Sequence, residues 1–136
     1  MCCQVGGNLV KPMKIKSREE LQNLRAQAQE TLEKRDKEKM QIFIGMASCG
    51  IAAGAREVKD AILEELQKQG LEAEVIEVGC VGICHEEPLV DIKRPGEERI
   101  TYAKVKPQDV PRLIAEHVKE GRVVEDKAYA RFEELN

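Results

Sequence analysis

Five cysteines give this sequence its clearest chemical signal: Cys2, Cys3, Cys49, Cys80 and Cys84. Because their number is odd, they cannot all pair with one another as disulfides. The N-terminus carries no hydrophobic segment of the kind that a secretory signal requires, so we expect a cytoplasmic protein in a reducing compartment. In that setting, closely spaced cysteines favour metal binding or redox chemistry over a disulfide framework.

Cys80 and Cys84 form a C-x3-C pair in a loop that directly follows a predicted strand. Gly79 and Gly82 lie in the same loop, where glycine lets the backbone wrap closely around a bulky ligand. Cys49 follows the preceding predicted strand, just before a predicted helix. Because strands joined by a crossover helix run parallel, Cys49 and the Cys80 loop should emerge at the same edge of the sheet. The sequence therefore predicts three converging thiols.

The N-terminal third of the chain predicts one helix outside the main fold. Ser17 and Glu20 fit a capping box, and apolar residues recur on one helical face up to about Arg35. Residues 1–13 show no periodicity and are typical of an irregular arm. We therefore assign residues 1–39 to an N-terminal arm and amphipathic helix, which can pack on its own domain or on a partner.

The remainder of the chain predicts alternating strands and helices. Strands are predicted at residues 41–46, 72–78, 89–93 and 99–105, and helices at about residues 55–69 and 107–120. The order β-α-β-β-β-α is that of the α/β thioredoxin-like fold, with a four-stranded mixed sheet and one helix against each face. Residues 40–121 are assigned to this domain and residues 122–136 to a polar C-terminal tail.

Composition excludes several classes of function. A net charge of −3 and a pI near 5.6 leave no basic surface for nucleic acid, and 3% aromatic residues without Trp leave no stacking platform for bases. The longest apolar run is six residues, Ile42 to Ala47, far below the ~18 of a membrane helix. No pair of carboxylates stands in a pocket-like context, so acid–base catalysis has no support.

Two motifs resemble a known family. They are Ser48-Cys49-Gly-Ile-Ala-Ala-Gly-Ala-Arg-Glu-Val58 and Val78-Gly-Cys80-Val-Gly-Ile-Cys84-His-Glu-Glu-Pro88-Leu-Val90. Both resemble the thioredoxin-like [2Fe–2S] ferredoxins. Among these are the N-terminal ferredoxin-like domain of the NADH-binding flavoprotein subunit of NADH dehydrogenases and NAD-linked [FeFe]-hydrogenases, and stand-alone short versions of that domain. The resemblance runs from about residue 40 to residue 121.

The resemblance implies one-electron transfer through a [2Fe–2S] cluster held by four cysteines. Position by position, Cys49 matches the second ligand, Cys80 the third and Cys84 the fourth. The family's first ligand commonly lies five residues before the second, and this sequence has Ile44 there. The resemblance therefore supplies three of the four ligands.

Candidates for the missing ligand lie in two places. Cys2 or Cys3 could fold back from the arm, and no spacing rule decides for or against them; the alternative is that both are unligated residues of the arm. His85 could replace a thiolate, as imidazole does in Rieske centres, and Ser48 or a water molecule would bind more weakly. For His85, a solvent-facing position beside two glutamates is the alternative to a role at the cluster.

Three interpretations of function follow. The first is a small electron-transfer subunit, without catalysis of its own, of an NAD(H)-linked and hydrogenase-type complex; its partners would be flavoprotein and iron–sulfur subunits. The second is the same fold without a cluster, serving in assembly. The third is a thiol redox or zinc protein, although C-x3-C is not the C-x-x-C of thioredoxins and the gap to Cys49 is unusual for structural zinc.

Two further residues have defined expectations. Pro88 precedes a predicted strand, where thioredoxin-like folds often hold a cis proline, and a cis bond there would shape the loop around Cys84; a trans bond is the equal alternative. His117 lies between apolar positions of the last predicted helix, so we expect a structural role for it.

Overall fold

The structure is a computed structural model that describes residues 14–132. The chain divides into two units, one ending at Lys34 and one beginning at Arg35. Among the described residues, no helix is both long and apolar enough to cross a bilayer.

The predicted N-terminal helix is present as α1, Arg18–Glu38. At its start, the Glu20 amide donates to Ser17 Oγ at 3.2 Å and the Lys16 amide donates to Glu20 Oε2 at 2.8 Å. The Glu20 side chain therefore reaches back one residue beyond the Ser17 amide that an ideal capping box would use. The large apolar side chains along this segment are exposed: Ile15, Leu21, Leu24 and Leu32.

The second unit contains a mixed sheet of five strands. These are β1 (Gln41–Gly45), β2 (Glu74–Val78), β3 (Val90–Lys93), β4 (Arg99–Tyr102) and β5 (Ala128–Phe132). Their order is β2-β1-β3-β4-β5, with β1 and β2 parallel and the other neighbours antiparallel. The predicted count of four strands is wrong, because residues 128–132, which the sequence analysis assigned to the tail, pair with β4 as a fifth strand. Without this pairing, the edge of β4 would expose unpaired backbone groups.

The helix after β1 is interrupted at Gly54. The short helix α2 (Ser48–Ala53) comes first, and α3 (Ala55–Gln69) follows after Gly54 takes a left-handed conformation with φ of 104°. Cys49 therefore lies in a helical turn, where the sequence predicted a loop. Gly70 ends α3 with a left-handed φ of 63°, a conformation in which helices commonly end at a glycine.

Both main helices pack on the same face of the sheet. The last helix consists of α4 (Val110–Leu113) and a π-helical turn, Ile114–Lys119. Alternate strand residues and the inner faces of α3 and α4 form one core; its largest members include Ile42, Ile44, Val58, Ile62, Ile92, Tyr102 and Ile114. The expectation of one helix against each face is wrong, because the apolar stripes of α3 and α4 cover the same inward-facing strand residues.

His117 is buried in this core, as expected. Its Nδ1 lies 2.7 Å from the Tyr102 hydroxyl, which also receives a hydrogen bond from the Val124 amide at 3.3 Å. The Tyr102 hydroxyl can donate its own proton to Nδ1 of a neutral His117 while it accepts from Val124. Burial lowers the pKa of His117 to about 4, with smaller contributions from Glu97, which raises the pKa, and from Arg94, which lowers it further. Burial also raises the pKa of Tyr102 to about 12.

We expect the apo protein to lose stability between pH 6.5 and pH 4. In this range the unfolded chain binds a proton at His117 that the folded chain does not, so the free energy of unfolding falls as the pH falls, by roughly 3 kcal/mol. Urea denaturation at both pH values measures the loss. Between the two pH values, the free energy of unfolding of the His117→Gln variant should fall by less than that of wild type. His85→Gln, which changes an exposed histidine, should show the wild-type pH dependence. Equal pH dependence in wild type and His117→Gln would contradict the assignment.

Candidate metal centre

The structure brings together the three cysteines that the sequence singled out. The Sγ atoms of Cys49, Cys80 and Cys84 all lie within 4.8 Å of one another. Those of Cys80 and Cys84 are 3.3 Å apart. Cys49 lies in α2, which follows β1, and the other two follow the parallel strand β2. The parallel pairing of these two strands is what places the three thiols at one edge of the sheet.

The Cys80–Cys84 loop depends on one of its two glycines. Gly82 has a φ of 89°, which residues with a side chain rarely adopt, and its amide donates to Cys80 Sγ at 3.3 Å. Gly79 has no atom within 4 Å of the position that a Cβ would occupy, and its φ is not in the left-handed region. The loop therefore needs a glycine at 82 for its shape, while position 79 has room for a side chain.

The Cys49 turn packs directly on the end of β1. A Cβ on Gly50 would lie 2.2 Å from the carbonyl oxygen of Gly45, far inside van der Waals contact. The end of β1 is in turn fixed on both sides, because the Gly45 amide donates to the Leu89 carbonyl at 3.2 Å and the Met46 amide donates to the Val78 carbonyl at 2.8 Å. The absence of a side chain at Gly50 therefore sets the position of Cys49.

Glu87 is a residue of this site that the sequence analysis missed. Its side chain is buried, and its Oε2 accepts a hydrogen bond from the Leu89 amide at 2.8 Å. The Glu87 amide donates to the Cys84 carbonyl at 3.4 Å, and the bond from Glu87 to Pro88 is cis. The available sequence signal was the position of Glu87 immediately before a proline in the cysteine loop.

The thiols of Cys80 and Cys84 have pKa values shifted in opposite directions. The hydrogen bond from the Gly82 amide lowers the pKa of Cys80, with further lowering by the thiols of Cys84 and Cys49. Sharing of hydrogen bonds with Cys80 and Cys49 raises the pKa of Cys84 to about 12. Thiols this close cannot all ionise at neutral pH unless a positive charge compensates them. The donor set therefore fits a cationic iron or another thiophilic metal.

The other candidate ligands are placed differently. Among residues 14–132, the group of His, Cys, Asp and Glu side chains close enough to share a metal is these three thiols. His85 is exposed, with its Nε2 at 3.4 Å from Glu86 Oε1, and Ser48 is exposed at the start of α2. Ile44 is fully buried in the core. Cys2 and Cys3 lie outside the described residues.

Comparison with known proteins places the chain in a family, although no family model matches it. The sequence is 30% identical over 117 residues to the NADP-reducing hydrogenase subunit HndB of Solidesulfovibrio fructosivorans, covering 84% of this chain and 93% of HndB. It is 33% identical over 70 residues to a [2Fe–2S] ferredoxin of Clostridium pasteurianum, covering 50% of this chain and 66% of that protein. The thioredoxin-like [2Fe–2S] ferredoxin of Aquifex aeolicus superposes with a TM-score of 0.60 at 26% identity, covering 68% of this chain and 98% of that one.

The chain belongs to the thioredoxin-like [2Fe–2S] ferredoxin family. This confirms the resemblance found in the two cysteine motifs and the predicted fold class. The match to HndB, over 117 residues, is longer than the whole span from residue 40 to residue 121. HndB therefore shares sequence with this chain beyond the ferredoxin-like core, whereas the match to the clostridial ferredoxin covers about half of the chain.

Proposed function

We propose that this chain is a small electron-transfer subunit of a hydrogenase-type complex and that it binds a [2Fe–2S] cluster. The observation that carries the proposal is the convergence of three thiols within 4.8 Å in a member of this family. When bound, such a cluster supplies one-electron oxidation and reduction. No group in the site suggests catalysis by the chain itself, so we propose that the reaction takes place on other subunits.

The three cysteines are the proposed protein ligands of the cluster. Cys80 and Cys84, whose sulfurs are 3.3 Å apart, are proposed to bind one iron, and Cys49 to bind the other. The Gly82 amide donates to Cys80 Sγ, and hydrogen bonds to cluster sulfurs are one of the factors that set a reduction potential. Cys80 and Cys84 are exposed, which supports electron exchange with a partner docked over this loop.

For the fourth ligand, the proposed candidates are Cys2, Cys3 and His85. Thiolate is the usual ligand of such clusters. Ile44 occupies the family's first ligand position with a buried side chain that has no donor atom, and the His85 imidazole faces Glu86. If neither Cys2 nor Cys3 binds, the fourth position belongs to His85, Ser48 or a solvent molecule, and the cluster will be labile.

A cluster-less assembly subunit is the second candidate, favoured by the isoleucine at position 44. Three clustered thiols also match a tetrahedral zinc site with one further ligand. Metal content separates these possibilities from the iron–sulfur proposal, because the first predicts no bound metal and the second predicts zinc.

Membership of a complex rests on the relative HndB, which is named as a hydrogenase subunit. We propose NAD(P)(H)-linked flavoprotein and iron–sulfur subunits as partners, contacted through residues 1–39 and through residues 122–136, part of which forms the edge strand β5. The exposed apolar side chains of α1 support this role for the first segment. Co-purification of the tagged chain with such subunits from its native cells would support membership of a complex. Purification of the tagged chain without them would contradict the proposal.

Analysis of anaerobically purified protein tests the cluster. We expect two irons and two acid-labile sulfides per chain, and an EPR signal that appears on reduction with dithionite, as four-ligand [2Fe–2S] centres give. Absence of iron after reconstitution would reject the electron-transfer proposal in favour of the assembly subunit. Stoichiometric zinc in the purified protein would favour the structural zinc site.

A further inference from the structure

The carboxylate of Glu87 lies in a space that two glycines leave open. A Cβ on Gly45 would lie 2.9 Å from Glu87 Oε1 and 3.0 Å from Oε2, and a Cβ on Gly50 would lie 3.3 Å from Oε2. Both glycines belong to the segment that carries Cys49, at the end of β1 and in α2. The Glu87 side chain therefore extends from the cysteine loop to the backbone on either side of the Cys49 turn.

The backbone around Glu87 connects this side chain to the other two cysteines. The Glu87 amide donates to the Cys84 carbonyl at 3.4 Å, and the Glu86 amide donates to the Ile83 carbonyl at 2.9 Å. On the other side, Glu87 Oε2 accepts a hydrogen bond from the Leu89 amide. The carbonyl of Leu89 in turn accepts a hydrogen bond from the Gly45 amide. One side chain thus links the C-x3-C loop, the start of β3 and the end of β1.

We propose that Glu87 is a positioning residue of the metal centre, which holds the Cys49 turn against the Cys80–Cys84 loop and places a negative charge beside the cluster. The charge part rests on the proposed function, and the positioning part does not. A reduced cluster carries one more negative charge than an oxidised cluster, so a nearby carboxylate disfavours reduction. Glu87 therefore acts both on the assembly of the site and on its reduction potential.

Neighbouring Glu86 provides a matched control. It differs from Glu87 by one position and has the same charge, but its carboxylate faces His85 at 3.4 Å and Lys104 at 3.6 Å. A change at Glu86 removes a charge from the same loop without removing the link to the Cys49 turn. Differences between variants at the two positions therefore report the placement of the Glu87 side chain.

The first experiment uses the reconstituted full-length protein. Glu87→Gln keeps the size of the side chain and an acceptor for the Leu89 amide, so it should load iron as wild type does. Its reduction equilibrium should shift about tenfold toward the reduced state, which is about 59 mV for one electron. Glu87→Ala should lose most of its iron. Glu86→Gln should change the iron content less than Glu87→Ala does and the reduction potential less than Glu87→Gln does. A Glu87→Gln protein with the wild-type potential would overturn the charge part of the proposal.

The second experiment uses the apo protein and does not require a cluster. Diamide oxidises pairs of thiols to disulfides and takes up the two electrons and two protons released. Peptide mapping then gives the fraction of Cys49 joined to Cys80 or Cys84. In Glu87→Ala this fraction should fall while the Cys80–Cys84 disulfide still forms, and Glu87→Gln should restore it. An unchanged fraction in Glu87→Ala would overturn the positioning role, whatever metal the wild type binds.

Discussion

Cys49→Ala should lose its iron–sulfur cluster and keep its fold. Cys49 supplies the thiol on the β1 side of the site, opposite the Cys80–Cys84 loop, and no other described His, Cys, Asp or Glu joins the group. Loss of a residue that only hydrogen-bonds to a metal ligand typically lowers metal affinity about 10- to 100-fold, so loss of a direct ligand should lower it further. Iron and sulfide analysis after reconstitution measures the loss, and circular dichroism checks the fold.

Ser48→Ala is the matched control for this prediction. Ser48 is exposed, adjacent to Cys49 and in the same helical turn, so its substitution tests whether any change in α2 releases the cluster. We expect Ser48→Ala to keep a full complement of iron when another residue supplies the fourth ligand, and loss of iron in this variant would instead assign that ligand to Ser48. The Cys2→Ala/Cys3→Ala double variant should lose iron if the arm supplies the fourth ligand. Retention of the complete cluster by Cys49→Ala would contradict the proposed ligand set.

Gly50→Ala is expected to destabilise the protein and to impair cluster loading. On helix propensity alone, alanine in place of glycine would stabilise by about 1 kcal/mol. At Gly50, however, the added Cβ would lie 2.2 Å from the Gly45 carbonyl oxygen, and both groups are backbone. Overpacking of this kind typically costs about 1–3 kcal/mol and occasionally more, so we expect a net loss of about 2 kcal/mol in the free energy of unfolding once the helix-propensity gain is subtracted.

Gly79→Ala provides the comparison for Gly50→Ala. Gly79, like Gly50, is adjacent to a cysteine of the site, but nothing lies within 4 Å of its Cβ position and its φ is not left-handed. Alanine there should change the free energy of unfolding by less than about 1 kcal/mol, in the stabilising direction if at all. Urea denaturation of the apo proteins and iron content after reconstitution measure both effects. Equal stability of the two variants would show that the end of β1 moves to accommodate a side chain at position 50.

Local patterns in the sequence determined the main elements of this protein. The apolar stripe of α3 with Gly70 at its end, the alternating residues of β2 and the capping residues of α1 each lie within a few positions of one another, so short-range physics specifies them. The order of these elements was sufficient for the thioredoxin-like class. The convergence of Cys49, Cys80 and Cys84 also followed, because the carboxyl ends of parallel strands meet at one edge.

Only the tertiary structure decided the features that depend on partners distant in sequence. β5 forms because β4 offers it an open edge, and both helices lie on one face because Ile42 and Tyr102 point to the same side of the sheet. In the sequence, only the following proline distinguished Glu87 from Glu86. The two differ only because the space beside Gly45 and Gly50 accepts one carboxylate, while the other lies near Lys104. Burial and close approach are properties of packed surfaces from separate segments, and a local sequence pattern does not specify them.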